Sequence, residues 1–327
     1  MSITEARAGG TVTSVRPIGL HHVTAIASEP ARNVEFYTRV LGLRLVKRTV
    51  NFDDPGSYHL YYGDEHGSPS TLLAFFPWPG VPRGRTGTGL VTSIAFSVPG
   101  NSLGFWSQRL TARGVSAEPP VTRGGTEVLR LFDPDGMVID LVASDGDHRS
   151  GWDGVGAIPA EHAVRGLHSV TLTEAALEAT ASLLTDGLNM RVSEQGPAEA
   201  RFSMSDGAAG SLVDVSAVRA DPGRQAGGTV HHVAFRAPDV ATITRWRQEL
   251  AGVGLPVTGI IDRCYFKSVY FREPGGVLFE LATEAPGFDV DEPLLELGRS
   301  LKLPPWLEPS RRQIEATLPT LPSIDDW

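Results

Sequence analysis

The feature that most restricts this chain is internal repetition. Four segments share one order: a short strand, an amphipathic helix, then further strands. They open at Gly19-Leu20-His21-His22-Val23-Thr24, Leu90-Val91-Thr92-Ser93-Ile94-Ala95-Phe96, Gly166-Leu167-His168-Ser169-Val170-Thr171 and Thr229-Val230-His231-His232-Val233-Ala234-Phe235. Repetition on this scale confines the fold to an array of one supersecondary unit. Helical spacing follows each opening, through Val34, Tyr37 and Leu41, then Leu103, Trp106 and Leu110, then Leu177, Ala181 and Leu184, then Val240, Ile243, Trp246 and Leu250. Asn101 or Ser102 and Asp239 are the expected N-caps of the second and fourth helices. Gly42, Gly114, Gly187 and Gly252 stand where a helix needs a left-handed C-terminal residue.

The ends of the units also match. Asp133-Pro134-Asp135-Gly136 and Glu273-Pro274-Gly275-Gly276 each feed an apolar strand that carries one acid at the same offset, Asp140 and Glu280. Asp214 is the weaker counterpart in the third unit, and the strand 71–76 of the first has no acid. The expected modules are 17–79, 88–144, 166–220 and 228–284, with a linker at 145–165 and a Pro-rich tail at 285–327 that packs on the body and is helical near 294–301. The run Gly84-Arg85-Thr86-Gly87-Thr88-Gly89 lacks the strand-before, helix-after context of a phosphate loop.

Composition narrows the function classes. A chain of 327 residues with 41% hydrophobic and 20% charged residues can bury a substantial core. A net charge of -9, without a basic cluster, argues against nucleic acid and anionic membrane surfaces. No apolar run reaches the ~20 residues of a membrane span, and residues 1–16 lack a signal-peptide core. Cys264 is the lone cysteine, which fits a reducing cytoplasm and a buried, inert thiol.

An acid between Phe279 and Leu281 is costly unless it is paired or bound to a metal. For Glu280 alone, an ion pair with Arg263 or Arg272 competes with metal ligation. Histidine tilts the balance: the second histidine of each pair, His22 and His232, recurs at one module position where the other modules have Ser93 and Ser169. Strict alternation along a strand would turn His21 and His231 to the opposite face, for packing or for hydrogen bonds that orient the ligands. Tyr58-His59-Leu60-Tyr61-Tyr62 makes His59 a candidate for lining the cavity. Pairing module 1 with module 4 gathers His22, His232 and Glu280, with Ala74 or a neighbour at the fourth corner. Sequential pairing would gather Asp214, His232 and Glu280 and strand His22. The first arrangement is expected, because two imidazoles and one carboxylate form the facial set of a non-haem Fe(II) site.

The opening motif, the stretches 36–51 and 53–64, Phe75-Phe76-Pro77-Trp78-Pro79, Tyr270-Phe271-Arg272-Glu273-Pro274 and the tail at 291–305 resemble the vicinal-oxygen-chelate superfamily, and within it the ring-cleaving dioxygenases acting on hydroquinones. The resemblance implies an α+β fold of four βαβββ modules in two half-barrels, modules 1 and 4 closing on the metal and modules 2 and 3 closing without one. It implies Fe(II), or Mn in its place, on His22, His232 and Glu280, with O2 as co-substrate. It implies Arg263 and Tyr270 beside a small aromatic diol. No nucleic-acid or membrane partner is expected, and exposed module edges could support a homo-oligomer. Two alternatives remain: a Zn, Ni or Mn glyoxalase-type lyase or isomerase, and a non-catalytic aromatic-binding resistance protein.

Overall fold

The structure, a computed structural model, describes residues 16–154 and 158–323. The reading of the N-terminus over residues 1–15, residues 155–157 of the linker and the last four residues of the tail lie outside the described residues.

Module 1 comprises β1 (Leu20–Ala27), α1 (Pro30–Glu35), β2 (Arg44–Asn51), β3 (Asp54–Gly63) and β4 (Leu72–Pro77). Module 2 comprises β5 (Leu90–Val98), α2 (Leu103–Ala112), β6 (Val121–Arg123), β7 (Thr126–Phe132) and β8 (Val138–Ala143). Module 3 comprises β9 (Gly166–Glu174), α3 (Glu178–Ser182), β10 (Arg191–Gln195), β11 (Glu199–Ser203) and β12 (Leu212–Ala217). Module 4 comprises β13 (Thr229–Ala237), α4 (Val240–Gly252), β14 (Ile261–Asp262), β15 (Lys267–Arg272) and β16 (Leu278–Thr283).

The strands form two curled eight-stranded sheets. One has the order β14-β15-β16-β13-β1-β4-β3-β2, the other β10-β11-β12-β9-β5-β8-β7-β6. Modules 1 and 4 therefore share one half-barrel and modules 2 and 3 the other, and sequential pairing is overturned. Within each module the first and last strands run parallel, and the two modules of a half-barrel meet through their antiparallel first strands. One apolar core spans both sheets and takes in the helix residues Tyr37, Trp106, Leu183, Leu184 and Trp246.

Several local expectations hold and others give way to tertiary context. Asp239 caps α4 by accepting from the Thr242 amide at 2.7 Å. Ser102 precedes α2 without capping it, because its hydroxyl is turned to the Glu161 carbonyl and the His162 ring. Gly42 and Gly114 have the expected positive φ of 70° and 65°. Gly187 instead closes a π-turn, and Gly252 lies inside α4, with Gly254 at φ 89° taking the terminal position. The run 84–89 lies along residues 222–227 as an extended ribbon. The tail's predicted helix is only a single 3-10 turn at Leu294–Glu296, and a true helix, α5 (Arg311–Thr317), occurs further on. Lys47, fully buried on β2, anchors the tail through Asp291 at 2.6 Å and Glu292 at 2.5 Å. A buried lysine without both acids would carry an uncompensated charge.

No helix among the described residues is long and apolar enough to cross a membrane.

Candidate metal centre

Register brings the predicted ligands together. On β13 and β16 Ala234 lies opposite Glu280, and on β1 and β4 Thr24 lies opposite Ala74. His232 and His22 each stand two residues before those positions, so they point to the same face. Ala74 thus occupies, in module 1, the corner that Glu280 fills in module 4. Glu280 is fully buried, and His22 and His232 are 1% and 5% exposed.

The donor atoms form a compact triangle. His22 Nε2 lies 3.3 Å from His232 Nε2 and 3.3 Å from Glu280 Oε2, and His232 Nε2 lies 2.9 Å from the same oxygen. Bonds of about 2.0–2.2 Å to one ion at near right angles would space the donors by about 3 Å. Glu280 Oε2 is buried and accepts no well-formed hydrogen bond. Three such electron-rich atoms converging in an apolar interior suit a divalent cation. Among the described residues this is the group of three or more His, Cys, Asp or Glu side chains able to hold an ion.

Burial alone would raise the Glu280 carboxyl, but the His22 and His232 imidazoles overcome this and hold it well below its usual range. Burial lowers His232, only partly opposed by Glu280, which favours the neutral imidazole that a metal ligand must be. The other carboxylate oxygen, Oε1, accepts from Tyr270 at 3.0 Å and from the Ser268 hydroxyl. Sequence reasoning missed Ser268. It stands two residues before Tyr270 on β15, and alternation alone could have placed both hydroxyls on the Glu280 side.

The expectation that His21 and His231 face away is wrong. Each is the extra residue of a β-bulge in the β1–β13 ladder, where pairing jumps from Leu20↔Phe235 to His22↔Ala234 and from Thr24↔His232 to Ala25↔Val230. A bulge breaks alternation and re-aims the side chain. His21 Nδ1 therefore meets His22 Nδ1 at 2.9 Å, and His231 Nδ1 meets His232 Nδ1 at 2.8 Å. His21 Nε2 lies 3.1 Å from the Thr283 carbonyl, which can only accept. His21 must then donate from Nε2 and accept at Nδ1, so His22 donates from Nδ1 and keeps the Nε2 lone pair for the site. Burial, then the neighbouring imidazole, lowers His21 and His231 to about 3 each.

Arg263 does not pair with Asp262 or Glu280. Its Nε donates to Tyr270 Oη at 3.1 Å and its Nη1 to Asp53 at 3.0 Å, tying the β2–β3 turn to β15. Nothing in the sequence announces a contact across 210 residues. Burial opposes the Arg263 charge, but Tyr270 and Asp53 more than restore it. Burial and Glu280 raise the Tyr270 hydroxyl, which stays protonated at neutral pH. Arg272 instead binds the Gly276 carbonyl. Phe266 packs against the rings of both His21 and His22. Tyr265, Phe266, Phe288 and Leu297 close this side of the site as a second apolar cluster. His59 packs between Tyr61 and Phe76 with tilted rings at 4.1 and 4.3 Å. Cys264 is part-exposed at φ 67°, not buried in a strand, and burial raises its thiol to about 11.

Comparison with known proteins agrees with this geometry. Residues 19–141 and 166–281 match the Glyoxalase/Bleomycin resistance protein/Dioxygenase superfamily. The chain is 44% identical to the "Putative ring-cleaving dioxygenase MhqE" of Bacillus subtilis, over 93% of this chain and 99% of that one. It is 33% identical to the "Chlorohydroquinone/hydroquinone 1,2-dioxygenase" of Sphingobium indicum, over 92% of this chain and 95% of that one. A crystal structure titled as a "putative dioxygenase" from Bacillus subtilis superposes with a TM-score of 0.90 at 38% identity, covering 94% of this chain and 98% of that one. With its repeated modules, its half-barrel pairing and its buried two-histidine, one-glutamate cluster, the chain belongs to the glyoxalase/bleomycin resistance protein/dioxygenase superfamily.

Proposed function

We propose that the protein is an Fe(II)-dependent dioxygenase that opens the ring of a hydroquinone-like aromatic diol, with Mn as the substitute metal. The observation that carries this reading is the three-donor face of His22, His232 and Glu280 with Ala74 at the fourth corner. His22, His232 and Glu280 would hold the iron, which when bound would supply activation of a phenolic oxygen and of O2. The relatives named as ring-cleaving and hydroquinone dioxygenases support the substrate class.

The chain's own groups have separable tasks. His21 fixes the His22 ring through the Nδ1 contact, and His231 does the same for His232. Tyr270 shares its proton with Glu280 Oε1 and accepts from Arg263. As a neutral donor held beside a cation, it can give a hydrogen bond or a proton to an oxyanion that develops on the ring, but it cannot serve as a base. Arg263, fixed by Asp53, keeps that hydroxyl oriented and sets positive charge beside it. The rings of Tyr61, Phe76 and Phe266 pack against His22, His59 and His231.

The test is anaerobic loading with Fe(II), followed by oxygen uptake with hydroquinone, catechol or the methylglyoxal–glutathione adduct. One O2 consumed per hydroquinone ring opened is expected. Isomerisation of the glutathione adduct without oxygen uptake would replace this reading with a glyoxalase. Glyoxalase-type sites commonly carry a fourth protein ligand, and Ala74 offers none.

A further inference from the structure

Beyond the ligands and the Tyr270–Arg263 pair, two polar atoms of module 1, Thr49 Oγ1 and His59 Nε2, are shut away from solvent with no hydrogen-bond partner among the described residues. Thr49 on β2 lies directly opposite His59 on β3, so their side chains share a face. Thr49 is fully buried, and its Oγ1 has no partner. The His59 ring is only part-buried, yet its Nε2 is sealed from solvent and also has no partner. A buried donor or acceptor left unmatched costs about 1–3 kcal/mol. Two adjacent ones are a costly arrangement for a purely structural wall.

Their direction is defined by the neighbours. His59 Nδ1 meets the Tyr61 hydroxyl at 3.0 Å, and that hydroxyl has no other acceptor among the described residues. Tyr61 therefore donates, which leaves His59 with its proton on Nε2. Phe76 packs on the other face of His59 and touches His231 edge-on at 5.5 Å, and His231 in turn meets the ligand His232. Burial, with His22 and His232 next, keeps the His59 imidazole uncharged, and the fields of Arg263 and Glu280 also reach it. Among the described residues no charged group hydrogen-bonds to either atom. A carboxylate set here would be left unpaired, whereas a hydroxyl can both give and accept a hydrogen bond.

We propose that His59 Nε2 and Thr49 Oγ1 bind the second, uncharged oxygen of the aromatic diol, the one remote from the metal, and so select diols over monophenols. This assignment rests on the aromatic reading above. It makes the metal face recognise one oxygen and the Thr49–His59 row the other.

The test is calorimetric titration of the Fe(II)-loaded full chain under nitrogen with hydroquinone, 4-methylphenol and 4-hydroxybenzoate. The wild type should bind hydroquinone about tenfold or more tighter than 4-methylphenol, with 4-hydroxybenzoate weakest. Thr49→Val and His59→Phe should each weaken hydroquinone about tenfold while 4-methylphenol moves by less than about threefold. His59→Asn, which keeps a donor, should retain part of the preference. Equal wild-type affinity for the two phenols would overturn the assignment without recourse to any variant. So would variants that weaken both ligands alike, the pattern of a structural role. Selective diol binding without oxygen uptake on admitting air would sink the dioxygenase reading and leave this one standing; no aromatic binding at all would sink both.

Discussion

The two half-barrels share one register and differ in what faces each acid. In the second half-barrel Arg130 lies opposite Asp140, and Arg201 lies opposite Asp214. Both arginines grip their acid with two hydrogen bonds of 2.7–3.1 Å. In the first, Tyr270 lies opposite Glu280 and Tyr61 lies opposite Ala74. Ser93 and Ser169 occupy the places of His22 and His232, and Thr92 and His168 are the bulge residues where His21 and His231 stand. One scaffold therefore gives an ion-paired acid where a cation is built in, and a ligand where a tyrosine leaves the acid to find its cation elsewhere.

The largest effect is expected from Glu280→Gln, which removes the anionic ligand but keeps its shape. Iron retained after desalting should fall to background and oxygen uptake with it; wild-type metal content would dissolve the distinction between the halves. Next, Tyr270→Arg copies the second half-barrel into the first. The guanidinium should capture Glu280 and weaken Fe(II) affinity by roughly 10–100-fold in a folded protein, as measured by competition with a chromophoric chelator. Conversely, Arg130→Met leaves Asp140, 6% exposed, with Arg123 at 3.7 Å as its ion-pair partner among the described residues. Urea unfolding should show a loss of about 2–3 kcal/mol with iron content unchanged. The smallest effect is on pH. The His21 imidazole is lowered to about 3 in the fold, so below pH 6.5 the unfolded chain takes up a proton the native state refuses. Stability of the metal-free protein should fall as pH drops from 6.5, by up to about 1.4 kcal/mol per unit from this residue. His21→Asn should flatten that slope in unfolding curves at pH 7, 6 and 5, and an unchanged slope would rule His21 out as its source.

The repeat, the turns and the ligand set were legible because each leaves a local mark. Pro134 and Pro274 precede glycines that need positive φ, Gly136 at 83° and Gly276 at 116°, and these turns fix the offset of Asp140 and Glu280. His22 and His232 could be picked from their pairs because only the second position recurs with a serine in the other modules. The bulges could not be read, since an extra residue in one strand depends on its partner's register. His59 was picked out from its aromatic surroundings, but its meeting with Thr49 follows only from the pairing of β2 with β3. Nothing local to Lys47 marks it as buried, and its burial follows from where the tail brings Asp291 and Glu292. Arg263 was found by resemblance, but its anchor, Asp53, comes from a turn at the far side of the half-barrel.

The central claim is that β1, β13 and β16, from opposite ends of the chain, close on one divalent ion. Crystals loaded with Fe(II) under nitrogen and measured at the iron absorption edge test it directly. The prediction is one anomalous peak about 2.0–2.2 Å from His22 Nε2, His232 Nε2 and a Glu280 oxygen, and none beside Asp140 or Asp214. A peak elsewhere, or none in a protein that consumes oxygen with hydroquinone, would contradict it.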